Sequence, residues 1–164
     1  MRFLAGFTLI EMLVVFSLLF TFSTVGIASY VKFTNNQTLD VGVGEFSTVL
    51  NTARSRAVSQ VIPVGATGCV GQALQGYQVM LMPGGRDYEI DILCGTNVVV
   101  LSKYKLPNNI CFNSGSSTPV IFKVTDGTTQ PAKVTINGSE KSKVISVDNA
   151  GNVSFSEGPA STGC

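Results

Sequence analysis

The sequence predicts an α+β fold: a long N-terminal helix, apolar all round in its first half and amphipathic in its second, packed on a mainly antiparallel β-sheet domain. Three observations carry that expectation. Residues 7–31 hold one charged side chain, Glu11, in an otherwise apolar and hydroxyl-bearing run. Leu39, Val43, Phe46, Leu50, Ala53, Ala57 and Val61 then recur at steps of three or four, the spacing of one helical face. Beyond Pro63 the chain breaks into short β-branched and aromatic runs separated by turn residues, the composition of strands joined by tight connections.

Taken in order, the first element is a span. Residues 12–31 are 20 residues without a charge, and a helix of that length covers roughly 30 Å, the hydrocarbon thickness of a bilayer. A carboxylate at one end of such a span demands a reason, because ionised groups in lipid are costly and tend to be functional. The local sequence offers one. Gly6, Phe7, Thr8, Leu9, Ile10 and Glu11 resemble the processing site of type IV prepilins and pseudopilins, in which a short leader ends in Gly, the new N-terminus is Phe, and Glu stands fifth after the cut. A secretory signal peptide would place its cleavage site after the apolar core, whereas here the matching site precedes it.

The resemblance implies a leader at residues 1–6, with the basic Arg2 on the cytoplasmic side, and cleavage between Gly6 and Phe7. It implies methylation of the new amine. It also implies that Glu11 docks the subunit by pairing with the amino group of a neighbour's Phe7, which would cancel two charges that an apolar filament core would otherwise leave unpaired. The bland reading of Glu11 is a headgroup-level carboxylate that marks the end of an anchor.

After the span, Asn35, Asn36, Gly42 and Gly44 weaken the helix locally, but the apolar stripe resumes until Pro63 ends it, so residues 7 to about 60 read as one long helix. Asp40, Glu45, Arg54 and Arg56 fall between the stripe positions, so one side of the helix should be buried against a sheet. Strands are expected at 77–82, 88–93, 98–105, 110–112, 120–125, 133–137, 143–147 and 152–156, with hairpins at Asn137 and Gly138 and at 149–151. The divisions are therefore 1–6 leader, 7–31 transmembrane and filament-core helix, 32–62 amphipathic continuation, and 63–164 β-rich globular domain. Two further stretches narrow the resemblance. Ala53, Arg54, Ser55, Ala57 and Val58, in an ARSxAV arrangement, and the run ISVDNAGNVSF at 145–155 are similar to the minor pseudopilin of type II secretion and its type IV pilus relative.

Composition bounds the rest. A chain of 164 residues with 45% apolar and 13% charged residues is one domain in size and no disordered tail, and a net charge of +1 points to no polyanionic partner. Cys69, Cys94, Cys111 and Cys164 lie beyond the span, where disulfides are permitted if that side faces out of the cytoplasm. Four cysteines allow three connectivities. The pairing preferred here is Cys69 with Cys94 and Cys111 with Cys164, the second pinning the C-terminal residues. A zinc site is disfavoured by the lack of histidine and of any CxxC pair.

Asp87, Glu89 and Asp91 alternate with apolar residues, which suits the wet face of a strand better than a calcium site. Lys103, Lys105, Lys141 and Lys143 could meet DNA, as some minor pilins do, but the preferred reading is a solvated face, since acidic residues are nearly as numerous. No catalytic residue and no cofactor is expected: there is no histidine, no GxSxG and no GK[ST] loop. The sequence thus points to a structural subunit of a type IV pilus or a secretion filament. The implied partners are a prepilin peptidase, other pilin or pseudopilin subunits, an inner-membrane assembly platform, and membrane lipid before assembly. Its place would be a single-pass membrane precursor, globular domain outward, and then a filament. The alternative is a DNA-binding or adhesive module displayed on such a filament.

Overall fold

The computed structural model describes residues 7–125, 127, 130–159 and 164, with the side chains of 24–26 and 28 outside that description. The chain divides into two compact units, one ending at Thr34 and the other comprising Asn35–Cys164. A single helix, α1 (Leu9–Val58), contributes to each. Asn35, Asn36, Gly42 and Gly44, expected to weaken it, all lie within it.

In the first unit every described helix side chain is exposed, phenylalanines and leucines included. The hydroxyls of Ser17, Thr21 and Ser23 donate to the carbonyls of Val14, Leu18 and Leu19 at 2.7–2.8 Å. Their polarity is thereby satisfied within the helix, and its described surface is close to uniformly apolar. The expected transmembrane reading of 7–31 falls partly on 24–26 and 28, whose side chains lie outside the described residues. Among the described residues no helix is long and apolar enough to cross a membrane.

In the second unit the stripe predicted for α1 is buried from Leu39 to Ala57, with Phe46, Leu50, Ala53 and Ala57 at 0% exposure. Val61 does not belong to it. The helix stops earlier than Pro63 would require: Gln60 turns to φ 53°, its amide bonds the Ala57 carbonyl, and the Val61 amide reaches back to Arg56. That pattern is a Schellman stop with Gln in the place usually held by Gly. Val61, past the stop, is half exposed, and its carbonyl accepts a hydrogen bond from the Tyr77 hydroxyl.

Eight strands follow a single 3-10 turn at Thr67–Cys69: β1 (Leu74–Leu81), β2 (Asp87–Cys94), β3 (Asn97–Lys105), β4 (Cys111–Phe112), β5 (Val120–Lys123), β6 (Ala132–Asn137), β7 (Ser142–Val147) and β8 (Val153–Glu157). Each expected strand is present within a few residues. The expectation of one sheet is corrected: there are two, in the orders β3-β2-β1-β5 and β4-β6-β7-β8, with every pair antiparallel. Alternation in sequence says which face of a strand is apolar but not which strands share a ladder.

Both sheets close on α1 around one core. The Phe46 ring meets Tyr88 of β2 and Phe112 of β4 edge-on, at centroid distances of 5.2 and 5.1 Å, the offset geometry that ring quadrupoles favour. Two glycines permit close approaches. A Cβ on Gly42 of α1 would run into Ile110 and touch Pro107, and one on Gly76 of β1 would strike the backbone of Phe122 in the neighbouring β5. Glycine in the helix interior costs about 1 kcal/mol of propensity, and here it lets α1 lie against the segment leading into β4.

Candidate functional site

The N-terminal candidates start from the helix end. Thr8 precedes the first helical residue, and its Oγ1 accepts a hydrogen bond from the Glu11 amide at 3.3 Å. Thr8, Leu9, Ile10 and Glu11 thus form the T-x-x-E pattern of a capping box, with Glu11 in the first turn, where the helix dipole favours negative charge. That role is legible in the sequence, since the T-x-x-E spacing is the signal, although the prepilin resemblance assigns Glu11 only to docking and methylation. Phe7 and Glu11 are both exposed. Gly6 and the leader 1–6 lie outside the described residues.

The four cysteines form the two preferred pairs, Cys69 with Cys94 and Cys111 with Cys164, and no cysteine is free. The first fastens the loop after α1 to the end of β2. The second fastens residue 164 to β4, at the base of the second sheet.

The two internal stretches singled out by resemblance come together. Arg54 Nη2 donates to the carbonyl of Ala150 at 2.8 Å, and its aliphatic stem lies against the places where Gly127 and Gly151 carry no side chain. In the β7–β8 turn, Asp148 accepts from both the amide and the side chain of Asn152, at 2.8 and 3.0 Å. These bonds, with the nearby Arg54, hold the Asp148 carboxyl below its ordinary pKa. The ARSxAV and VDNAGN segments are thus the two halves of one clamp between α1 and the second sheet.

The acidic and basic strands also meet, and cancel. β2 pairs with β3 so that Glu89 faces Lys103 and Asp87 faces Lys105, with ion pairs at 3.6 and 3.4 Å. Lys143 of β7 pairs with Asp40 of α1. Asp91, expected on a wet face, is instead 1% exposed and accepts from Gln78 Nε2 at 2.7 Å. Burial pushes its carboxyl above the ordinary value. Among the described residues no cluster of three metal-ligating side chains forms. A groove of about 620 Å³ beside this strand pair is lined by Met80, Met82, Pro83, Tyr88, Lys103 and Tyr104, together with the paired carboxylates. Its Tyr88 phenol is pushed up to about 12 by burial, by Glu45 and by Tyr104, so it stays protonated at neutral pH and supplies no base.

The chain thus has an α+β build: one helix, capped at its start, exposed in its first part and clasped by two antiparallel sheets in its second. The family model for the type II transport protein GspH matches residues 43–151. That is more than half of the chain, which therefore belongs to this family of type II secretion pseudopilins. The match covers residues 43–58 of α1, strands β1 to β7 and the Arg54–Ala150 clamp, and starts beyond the Gly6–Glu11 motif. No curated protein and no solved structure matches the chain.

Proposed function

We propose that the protein is a structural subunit of a type II secretion pseudopilus, made as a membrane precursor and cut after Gly6. The observation that carries this reading is the family match over 43–151, joined in one chain to the Gly6, Phe7 and Glu11 pattern. Residues 7–31 hold the precursor in the membrane and later lie in the filament core, with Asn35–Cys164 outside the cytoplasm. A prepilin peptidase removes residues 1–6 and methylates Phe7. The assembly platform and other pseudopilins receive the subunit, and Glu11 pairs with a neighbour's N-terminal amine. The function is mechanical and no catalysis is assigned to it.

Glu11→Ala tests the assembly step. The cap survives, because it is the amide of residue 11 that bonds Thr8, so the helix start is preserved while the carboxylate is lost. An unpaired charge in an apolar setting costs several kcal/mol, enough to lower incorporation by about two orders of magnitude. The expected result is loss of the variant from sheared filaments, with unchanged melting of the folded domain and a mature N-terminus at Phe7 by mass spectrometry. Incorporation at the wild-type level would overturn the assignment of Glu11. A mature chain that still begins at Met1 would overturn the processing.

A further inference from the structure

Within the β-rich part of the chain, 57–85 and 92–102 are among the stretches that carry no charge. The fold brings them to one end of the first sheet. Cys69 is bonded to Cys94, the Asn97 side chain donates to the Gly68 carbonyl at 3.0 Å, and the Gly95 amide donates to Ala73 at 3.0 Å. Around this end Val61, Ile62, Val64, Val70, Val98 and Val100 are exposed, Val64 completely. The polarity of the loop backbone is taken up locally, by the 3-10 turn and the Tyr77–Val61 bond, and the disulfide staples the frame from which the apolar side chains project.

Along this charge-free end runs the edge strand β3. Among the described residues nothing pairs with its outer side. It is nine residues long, whereas the other edge strands, β4, β5 and β8, have two, four and five. Long apolar edges are templates for pairing with another chain, and proteins usually blunt them with charges or bulges. β3 carries both devices, but only in its second half. Lys103 and Lys105 stand there, drawn back over β2 by Glu89 and Asp87, and the register slips beside Ile90 and Asp91 so that Leu101 is extra. Residues 97–100, reading NVVV, have neither device.

We propose that residues 97–100 of β3 are a strand-addition site for an extended, uncharged, β-branched segment of another protein chain outside the cytoplasm. The chemistry of the occupant follows from the edge. Backbone groups on both sides satisfy one another, and alternate side chains of the incoming strand lie beside Val98 and Val100. A charged residue in that segment would be desolvated against valines with no counter-ion in reach before Lys103. The bulge at Leu101 ends the ladder after about four residues, and the valines of the stapled loop extend the apolar contact past it.

The test uses the full chain in detergent micelles and a capped hexapeptide of alternating threonine and valine. Amide hydrogen exchange across 97–101 is compared with and without peptide. The expected result is exchange slowed at least about tenfold at saturating peptide. No slowing is expected with the same peptide N-methylated at alternate residues, which keeps the side chains but removes the donors. None is expected in the Val98→Lys/Val100→Lys double variant, whose positions are half-exposed and whose melting is checked in parallel. If that variant fails to fold, the two peptides on the wild-type chain decide the question alone. Slowing by both peptides would mean apolar adherence without strand pairing, and slowing by neither would mean a closed edge. Slowing in peptide-free protein that grows with its own concentration would mean that the occupant is a second copy. Each of these three results overturns the proposal.

Discussion

Asp91 lies on the strand face that alternation assigns to water, yet its neighbours cover it. Gln78 binds one of its oxygens, and the other, Oδ1, has no hydrogen-bond partner among the described residues. Burial raises its pKa most; the Gln78 bond opposes that rise, Glu89 adds to it and Lys103 subtracts from it. A carboxyl with a raised native pKa binds its proton more readily folded than unfolded. Between 3.8, its ordinary value, and the raised value, stability therefore falls as pH rises. Thermal melting over that window should show this downward slope in the wild type and a flatter one in Asp91→Asn. Equal slopes would mean that Asp91 is solvated in solution. The sequence correctly shows which face of β2 bears the carboxylates. It does not show that Gln78, thirteen residues away, sits opposite Asp91, because that depends on register.

At the level of elements, the clamp between α1 and the β7–β8 turn makes the clearest prediction. Arg54→Ala removes a charge-assisted bond to Ala150 and the stem lying against Gly127 and Gly151. The cost should be about 1–2 kcal/mol, read as a fall of about 5 °C in melting temperature. Arg54→Lys should fall between the two, because it keeps charge and stem without the planar fork; an unchanged Arg54→Ala variant would mean that the turn holds itself. The strands were legible one by one because turn residues punctuate them and β-branched runs fill them. Their division into two sheets was not, because pairing partners lie far apart in sequence: β5 joins β1 and β4 joins β6. Pro63, the visible breaker, sets the helix end near residue 60, but the turn itself falls on Gln60, a residue without a strong left-handed preference that the sequence does not flag.

Across the molecule, the two disulfides close loops with sequence separations of 25 and 53. Chain-entropy reasoning gives each about 3–4 kcal/mol, with the longer loop worth roughly 0.7 kcal/mol more. Denatured, unreduced protein should show no titratable thiol, and Cys111→Ser/Cys164→Ser should lower stability at least as much as Cys69→Ser/Cys94→Ser. The reverse order would mean that loop length is not the governing quantity. The sequence left three connectivities open, since cysteine spacing does not report which strand ends meet. The placing of Phe46 between Tyr88 and Phe112 has a consequence of another kind. A pull along the buried part of α1 reaches both sheets together, at the Phe46 ring and, for the second sheet, also at the Arg54–Ala150 clamp. The two sheets then share the load, and the domain answers tension as one block.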